Sequence, residues 1–298
     1  KELGALSEKT PIIEPEIFIK KINEKGQEFL IYRDMEKWEE YLKKIAPEDE
    51  KAISRMFKII NKFSFSGEIE ELMKPKQFRK TLPMLKLLFK MRSVFIPMIK
   101  YGKKSFSSFI SDMGFKNKFL NSFLDKIYGG EDFSAIAILM MLSLLKDKNA
   151  GYPAGGSLNF IHRIADKYRE LGGKLSTGEK VKEILIKDGR ATGVKLDDDT
   201  VYKSDYVIAA CDLHTVIYDL LDGEYVPEDI ENAFDNWPLF NPIVQVSFGI
   251  DKEISEESMT SNFIFETAIG CTKTDSYTIM NFSFDPAMAP EGKTTIIL

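Results

Sequence analysis

A double glycine marks the part of the sequence best suited to bind a ligand. Gly155 and Gly156 stand directly before a predicted helix, and Ser157 and Asn159 are the first polar side chains of that helix. Because glycine has no Cβ, it lets a ligand or a neighbouring backbone come close, and the first N–H groups of a helix favour polar or anionic partners. The spacing therefore predicts a binding site here, without identifying its chemistry.

A second pair of glycines has the spacing of a phosphate-binding loop. The segment Gly173-Lys-Leu-Ser-Thr-Gly178 is followed by Glu179, whereas that loop needs a lysine there to neutralise phosphate charge. We therefore interpret it as the end of a helix and the approach to a strand. The sequence has no G-x-G-x-x-G, so it contains no complete dinucleotide-binding fingerprint.

Cys211 and His214 have a spacing that could serve a metal site or a nucleophile. A structural zinc site needs four ligands, and the other histidine and cysteine, His162 and Cys271, are isolated in the sequence. Asp212, next to Cys211, disfavours the thiolate. We interpret Cys211 as a small residue that closes a buried strand, and we predict no catalytic residue and no metal ligand in this chain.

Composition excludes several classes of protein. The 298 residues suggest about two domains, and 44% hydrophobic with 29% charged residues is typical of a globular chain. A net charge of −5 argues against nucleic-acid binding. Two cysteines cannot form a disulfide framework, and the sequence has no signal peptide and no apolar run of spanning length. We expect a cytoplasmic protein.

Hydrophobic periodicity divides the chain into four sections and predicts an α+β fold. They are a β-hairpin in 1–33, a helical region in 34–150, a β-rich segment after one helix in 151–215, and a helix with strands in 216–298. We expect the hairpin and the late strands to share one mixed or antiparallel sheet covered by helices. The apolar alternation that needs a covered face occurs at Ile17, Ile19, Val244, Val246 and Phe248.

The segment from Leu72 to Ser111 has an unusual charge pattern, with ten basic residues and no acidic one. Apolar residues such as Phe89, Phe95 and Ile96 lie among the basic ones. A basic amphipathic segment suits an anionic membrane surface, which would make the protein peripheral to the membrane. The alternative is a solvated helical face whose apolar side chains point into the core.

Several motifs together resemble the phytoene desaturase family of flavin-dependent carotenoid desaturases and isomerases, with retinol saturases as relatives. They are Tyr152-Pro-Ala-Gly-Gly-Ser157, Gly172-Gly173, Val181-Lys-Glu-Ile184, Gly193-Val194 and Asp205-Tyr-Val-Ile-Ala-Ala-Cys-Asp212. The later Asp285-Pro-Ala-Met-Ala-Pro-Glu-Gly292 is similar to a segment before a substrate-domain strand of that family. More distantly, the chain resembles the monoamine oxidases.

The resemblance implies FAD as cofactor and assigns roles to particular residues. Val181 would contact the adenine through its backbone, Gly155 and Gly156 would belong to the cofactor side, and Ser157 and Asn159 would face the flavin and substrate. The segment 151–215 becomes part of an FAD-binding, Rossmann-like domain, and the other three sections become the substrate domain. The family's G-x-G-x-x-G is missing here, and the chain begins without Met and stops within a strand pattern. We therefore expect an internal piece of a longer protein that does not retain FAD by itself.

The expected function is that of a flavin-dependent oxidoreductase, a desaturase, saturase or isomerase. It would act by hydride transfer on an apolar, polyene or lipid-like small molecule. An amine oxidase-like flavoenzyme is one alternative. A non-catalytic lipid- or membrane-binding module, supported by the basic segment, is the other. The expected partners are the apolar substrate and an anionic membrane surface through 72–111, and not nucleic acid.

Overall fold

The computed structural model describes most of the chain, in two compact units. The described residues are 3–63, 89, 92, 94–125, 127, 133–146, 151–237, 239, 242–254, 258–271 and 274–298. The first unit comprises Lys1–Ile164 and Gln245–Leu298, and the second comprises Ala165–Val244. Six basic residues of the predicted membrane-facing segment lie outside the described residues: Lys74, Lys76, Arg79, Lys80, Lys86 and Lys90.

Strands from both ends of the chain build the first unit. A short pair joins β1 (Ile12–Ile13) to β4 (Tyr152–Pro153). The larger sheet has six strands in the order β3-β2-β9-β10-β11-β8. Its strands are β2 (Ile17–Asn23), β3 (Glu28–Tyr32), β8 (Ser247–Ile250), β9 (Thr260–Ile264), β10 (Ser276–Asn281) and β11 (Thr294–Ile297).

The prediction that the hairpin shares a sheet with the late strands is confirmed. Strand β2 pairs with its hairpin partner β3 on one side and with β9 on the other. The pairing of β2 with β9 is parallel, and the other pairs of this sheet are antiparallel. The sheet is therefore mixed, because β2 and β9 enter it from distant parts of the chain rather than through a hairpin.

Helices surround an apolar core beside the hairpin. They are α1 (Met35–Ile45), α2 (Glu50–Lys62), α3 (94–101), α4 (Phe106–Met113), α5 (Lys118–Asp125) and α6 (Ala135–Lys146). Helix α1 begins where the Asp34 carboxylate accepts hydrogen bonds from the N–H groups of Glu36 at 2.9 Å and Lys37 at 3.1 Å. Phe29 of the hairpin stacks on Phe123 of α5 with ring centres 5.2 Å apart, so the core joins sheet and helices.

Two predictions about strands are wrong. Ile17 and Ile19 are buried as expected, but Val244, Val246 and Phe248 are exposed. Val244 and Val246 precede β8, which begins at Ser247, and the exposed side chain of Phe248 shows that the described residues do not cover its face of the sheet. Within the β-rich segment 151–215, the apolar run at 206–210 also suggests a strand, but these residues form no regular structure and pair with no described strand.

The second unit is built on an antiparallel meander. Helix α7 (Gly156–Glu170) begins in the first unit and ends in the second, where β5 (Val181–Lys187), β6 (Arg190–Leu196) and β7 (Val201–Lys203) follow. A π-helix (Thr215–Leu220) and α8 (Glu228–Asn236) complete the unit. No helix of the described part of the chain is long and apolar enough to cross a membrane.

Candidate functional site: the double-glycine turn

The double glycine forms a turn that other residues could not adopt without strain. Gly155 has φ +81° and Gly156 has φ +84°, values in the left-handed region that favours glycine. A Cβ on Gly156 would lie 3.2 Å from the Sδ of Met288. Backbone conformation at both positions, and close packing at Gly156, therefore require glycine at the start of α7.

A buried carboxylate from a distant part of the sequence binds this turn. The Oδ2 atom of Asp285 accepts a hydrogen bond from the Gly155 N–H at 2.7 Å, across 130 positions of sequence. Its Oδ1 atom accepts from the Ala287 N–H at 3.0 Å, at the start of a short 3₁₀ turn. Asp285 is buried, so both bonds are shielded from competing water.

Tyr152 connects the turn to an aromatic cluster. Its ring centre lies 5.5 Å from that of Phe282 and 5.4 Å from that of Phe284. Burial raises the pKa of the Tyr152 hydroxyl, the negative charge of Asp285 raises it further, and a hydrogen bond to the Ser157 backbone opposes this rise. The raised pKa favours the protonated hydroxyl, which lies beside the first turn of α7.

The two predicted substrate-binding residues lie on the first turn of α7 and differ in their contacts. Asn159 is exposed, and its Nδ2 donates a hydrogen bond to the Gly155 carbonyl at 2.7 Å. Ser157 is exposed as well. Asn159 therefore stabilises the turn, whereas the Ser157 side chain faces solvent. Their contacts with a substrate remain a prediction.

The first unit thus brings four of the five predicted site residues together, namely Gly155, Gly156, Ser157 and Asn159. Val181 lies in the second unit, where it is half-buried as the first residue of β5 and is paired with Leu196 of β6. Its predicted role at the adenine remains a prediction.

Sequence reasoning did not assign Asp285. The pattern Asp-Pro-Ala has a local signal, since aspartate is favoured where a helical turn begins. That signal predicts the bond to Ala287 but gives no hint of the one to Gly155.

The interpretation of Cys211 as a residue closing a buried strand is wrong. Cys211 is exposed, and residues 206–210 before it form no strand. His214 packs instead against aromatic rings, with centre distances of 4.5 Å to Tyr218 and 5.4 Å to Phe234. Within the described ranges, no group of three or more His, Cys, Asp or Glu residues is arranged to hold a metal ion.

The double-glycine turn does not form a cradle for a flavin pyrophosphate. The space next to Gly156 is filled by Met288, and Asn159 lies against Gly155. The Gly155 N–H already donates to a carboxylate, and that negative charge opposes an anion. We therefore derive no chemical step through a flavin held at this turn.

Comparison with known proteins defines the class. The family of flavin containing amine oxidoreductases matches residues 1–298, and the chain belongs to this family. The phytoene desaturase (lycopene-forming) of Pseudescherichia vulneris is 23% identical over 63% of this chain and 40% of its own length. The 4,4'-diaponeurosporene oxygenase of Staphylococcus aureus (strain USA300) is 26% identical over 50% of this chain and 31% of its own length. The resemblance to the phytoene desaturase family is thereby confirmed.

Further relatives agree in sequence or in fold. The inactive all-trans-retinol 13,14-reductase of Danio rerio is 25% identical over 66% of this chain and 33% of its own length. The crystal structure of the PF1083 protein of Pyrococcus furiosus matches 97% of this chain and 59% of its own, with TM-score 0.56 and 16% identity, which concerns the fold alone. The chain spans only 31–40% of the length of these curated relatives.

Proposed function

We propose that this chain is part of an FAD-dependent oxidoreductase of the phytoene desaturase type, which acts on an apolar polyene or lipid-like substrate. Family membership over all 298 residues supports flavin chemistry, and two relatives that by name convert carotenoids support the substrate class. One structural observation carries the proposal. The two motifs of the resemblance, Tyr152 to Ser157 and Asp285 to Gly292, are joined by the hydrogen bond from Gly155 to Asp285.

The proposed chemistry needs little from protein side chains. A bound flavin accepts or returns a hydride, and the protein supplies orientation and an apolar enclosure. In the proposal, this chain contributes the start of α7, with Ser157 and Asn159 towards substrate. It also contributes the backbone of Val181 at the adenine, with Gly155 and Gly156 shaping the cofactor side. Tyr152 and Asp285 act as positioning residues, because they hold the turn rather than face the substrate.

The test combines a spectrum with an anaerobic titration. The natural full-length protein is purified and its visible absorbance is measured for oxidised flavin. A partly saturated polyene, which still has single bonds that can be desaturated, is then added in detergent micelles without oxygen. We expect the flavin absorbance to bleach. For the saturase direction, the flavin is first reduced, and a conjugated polyene should restore its absorbance.

Other outcomes select the alternatives. Bleaching by primary or secondary amines, but not by polyenes, would overturn the proposed substrate class in favour of an amine oxidase-like enzyme. A full-length protein without flavin, which also takes up none when FAD is added, would overturn the oxidoreductase proposal and favour the non-catalytic module.

A further inference from the structure

Helix α3 has one apolar face that is buried and another that is exposed. Val94, Pro97 and Tyr101 are buried at the helical spacing of one face, and the Tyr101 ring packs edge-on against Phe109 at 4.9 Å. The other face exposes Phe95 by 63%, Ile96 by 70% and Ile99 by 72%. The helix is therefore fixed to the core by one side and presents bulky apolar side chains to solvent on the other.

The exposure of these side chains bears on the alternative interpretation of the basic segment within its described part. The alternative requires the apolar residues to point into the core, and for Phe95, Ile96 and Ile99 this is wrong. Phe89, just before this helix in sequence, is exposed by 77% as well. Exposed apolar side chains are common singly, but a cluster of this kind marks an interaction surface.

Basic residues lie close to the apolar face in sequence. Arg92, Lys100 and Lys103 are exposed, and the nearest acidic residue after them, Asp112, pairs with Lys104 at 2.6 Å. A second copy of this chain would bring the same cations against each other, which is unfavourable. A surface that is both apolar and cationic matches an anionic lipid bilayer, where side chains such as Phe and Ile enter the interface and Lys and Arg meet the headgroups.

We propose that the outer face of α3, made by Phe95, Ile96, Ile99 and Lys100, docks on an anionic lipid bilayer together with Arg92 and Lys103, which flank the helix in sequence. Membrane binding here extends the proposed function, since an apolar polyene is dissolved in the bilayer. It rests on that function for the identity of the substrate only. Vesicle binding is measured without flavin or substrate, so its failure leaves the oxidoreductase proposal untouched, and the reverse holds as well.

The experiment measures flotation of the protein with vesicles of phosphatidylcholine, with or without phosphatidylglycerol. Two variants test the surface: Lys100→Glu/Lys103→Glu removes its charge, and Phe95→Ser/Ile99→Ser removes its apolar contact. The matched control is Lys174→Glu/Lys203→Glu, which reverses two exposed lysines of the second unit. The changed lysines are all exposed. Thermal unfolding of each variant verifies that it is folded.

We expect binding to anionic vesicles that weakens with salt without vanishing. Each cation near such a surface contributes about a fivefold change in partition, so the lysine reversal should weaken binding by about 25-fold or more. The serine variant should lose about tenfold and retain the salt dependence. Absence of binding at low salt, equal binding to neutral vesicles, or an equal loss in the control variant would overturn the proposal. An acidic protein partner would give that same absence of vesicle binding.

Discussion

Asp285 satisfies two backbone donors with one buried carboxylate, and the more distant of them is the Gly155 N–H, 130 positions away. Removing the acceptor leaves two part-buried N–H groups unpaired, which costs up to about 1–3 kcal/mol. We expect Asp285→Ala to lower the free energy of unfolding by about this amount, measured by urea denaturation.

The control for this prediction is Asp251→Ala. The Asp251 carboxylate is exposed and pairs with Lys293 at 3.0 Å on the surface, where ion pairs contribute about 0–1 kcal/mol. Equal losses of stability in the two variants would contradict the role assigned to Asp285.

Gly156 offers a second test at the same turn. We expect Gly156→Ala to destabilise the protein more than Gly178→Ala in urea denaturation. Both positions have positive φ, +84° and +76°, so both variants incur about 1–2 kcal/mol of backbone strain. A Cβ would meet Met288 at 3.2 Å only at Gly156, since nothing lies within 4 Å at Gly178.

The double variant Gly156→Ala/Met288→Ala separates the two causes. Shortening Met288 removes the close contact but leaves the backbone strain. The double variant should therefore be less stable than Met288→Ala by only the amount that Gly178→Ala loses relative to the unchanged protein. If Gly156→Ala is no more destabilising than Gly178→Ala, the contact with Met288 is irrelevant to stability.

Among single residues, the sequence predicted those whose signal is local. Two adjacent glycines before a helix predict a tight turn, and the turn is there at Gly155 and Gly156. Asp285 was missed because its partner is distant in sequence, and Cys211 was misjudged because a neighbouring apolar pattern suggested a buried strand.

Asp199, in the turn between β6 and β7, makes a pH-dependent contribution to the stability of the folded state. Hydrogen bonds from Lys182 and Lys195 lower the pKa of Asp199 from 3.8 to about 2. A lowered pKa in the folded state means that the contribution is present above the unfolded value, near pH 4, and is lost as the pH falls towards 2. We expect NMR titration of the Asp199 carboxyl to give a midpoint well below that of an ordinary aspartate.

Substitution tests the cause of this shift. The double variant Lys182→Gln/Lys195→Gln should return the Asp199 midpoint to its ordinary range, because both donors lose their charge. Asp188→Asn, in the turn between β5 and β6, should leave the midpoint where it was. A low midpoint that persists without the two lysines would assign the shift to another cause.

Strands were predicted well wherever both neighbours were predictable. The hairpin β2–β3 and the pair β5–β6 follow from turn residues and alternation, and they occur as expected, whereas the third strand lies at 201–203 rather than at the predicted 206–210. Apolar alternation at Val244, Val246 and Phe248 has the same appearance as in a covered strand, but these side chains are exposed. Alternation shows which face is apolar and carries no information about whether another layer covers it.

For the whole molecule, we expect that the 298-residue chain does not retain FAD. The sequence has no G-x-G-x-x-G, and the Gly155 N–H is already bonded to Asp285, so the pyrophosphate lacks the donors that it needs. The measurement is gel filtration of the chain after incubation with FAD, followed by flavin fluorescence of the protein peak. Stoichiometric flavin in that peak would contradict the prediction.

The types of element in the overall architecture were predictable, but the direction in which distant strands pair was not. Periodicity predicts helices in 34–150 and strands on either side, and the simplest partners for the hairpin are the late strands. The parallel direction of the β2–β9 pair was not predictable, because it depends on the path of more than two hundred residues between them rather than on any local pattern.

That path has a consequence for how the protein is made. The Glu266 N–H donates a hydrogen bond to Glu24 across 242 positions, next to the pairing of β2 with β9. During synthesis from the N-terminus, the hairpin emerges more than two hundred residues before the strand that pairs with β2. Strand β2 is therefore an open sheet edge during that interval, when an unpaired edge is most prone to join another nascent chain.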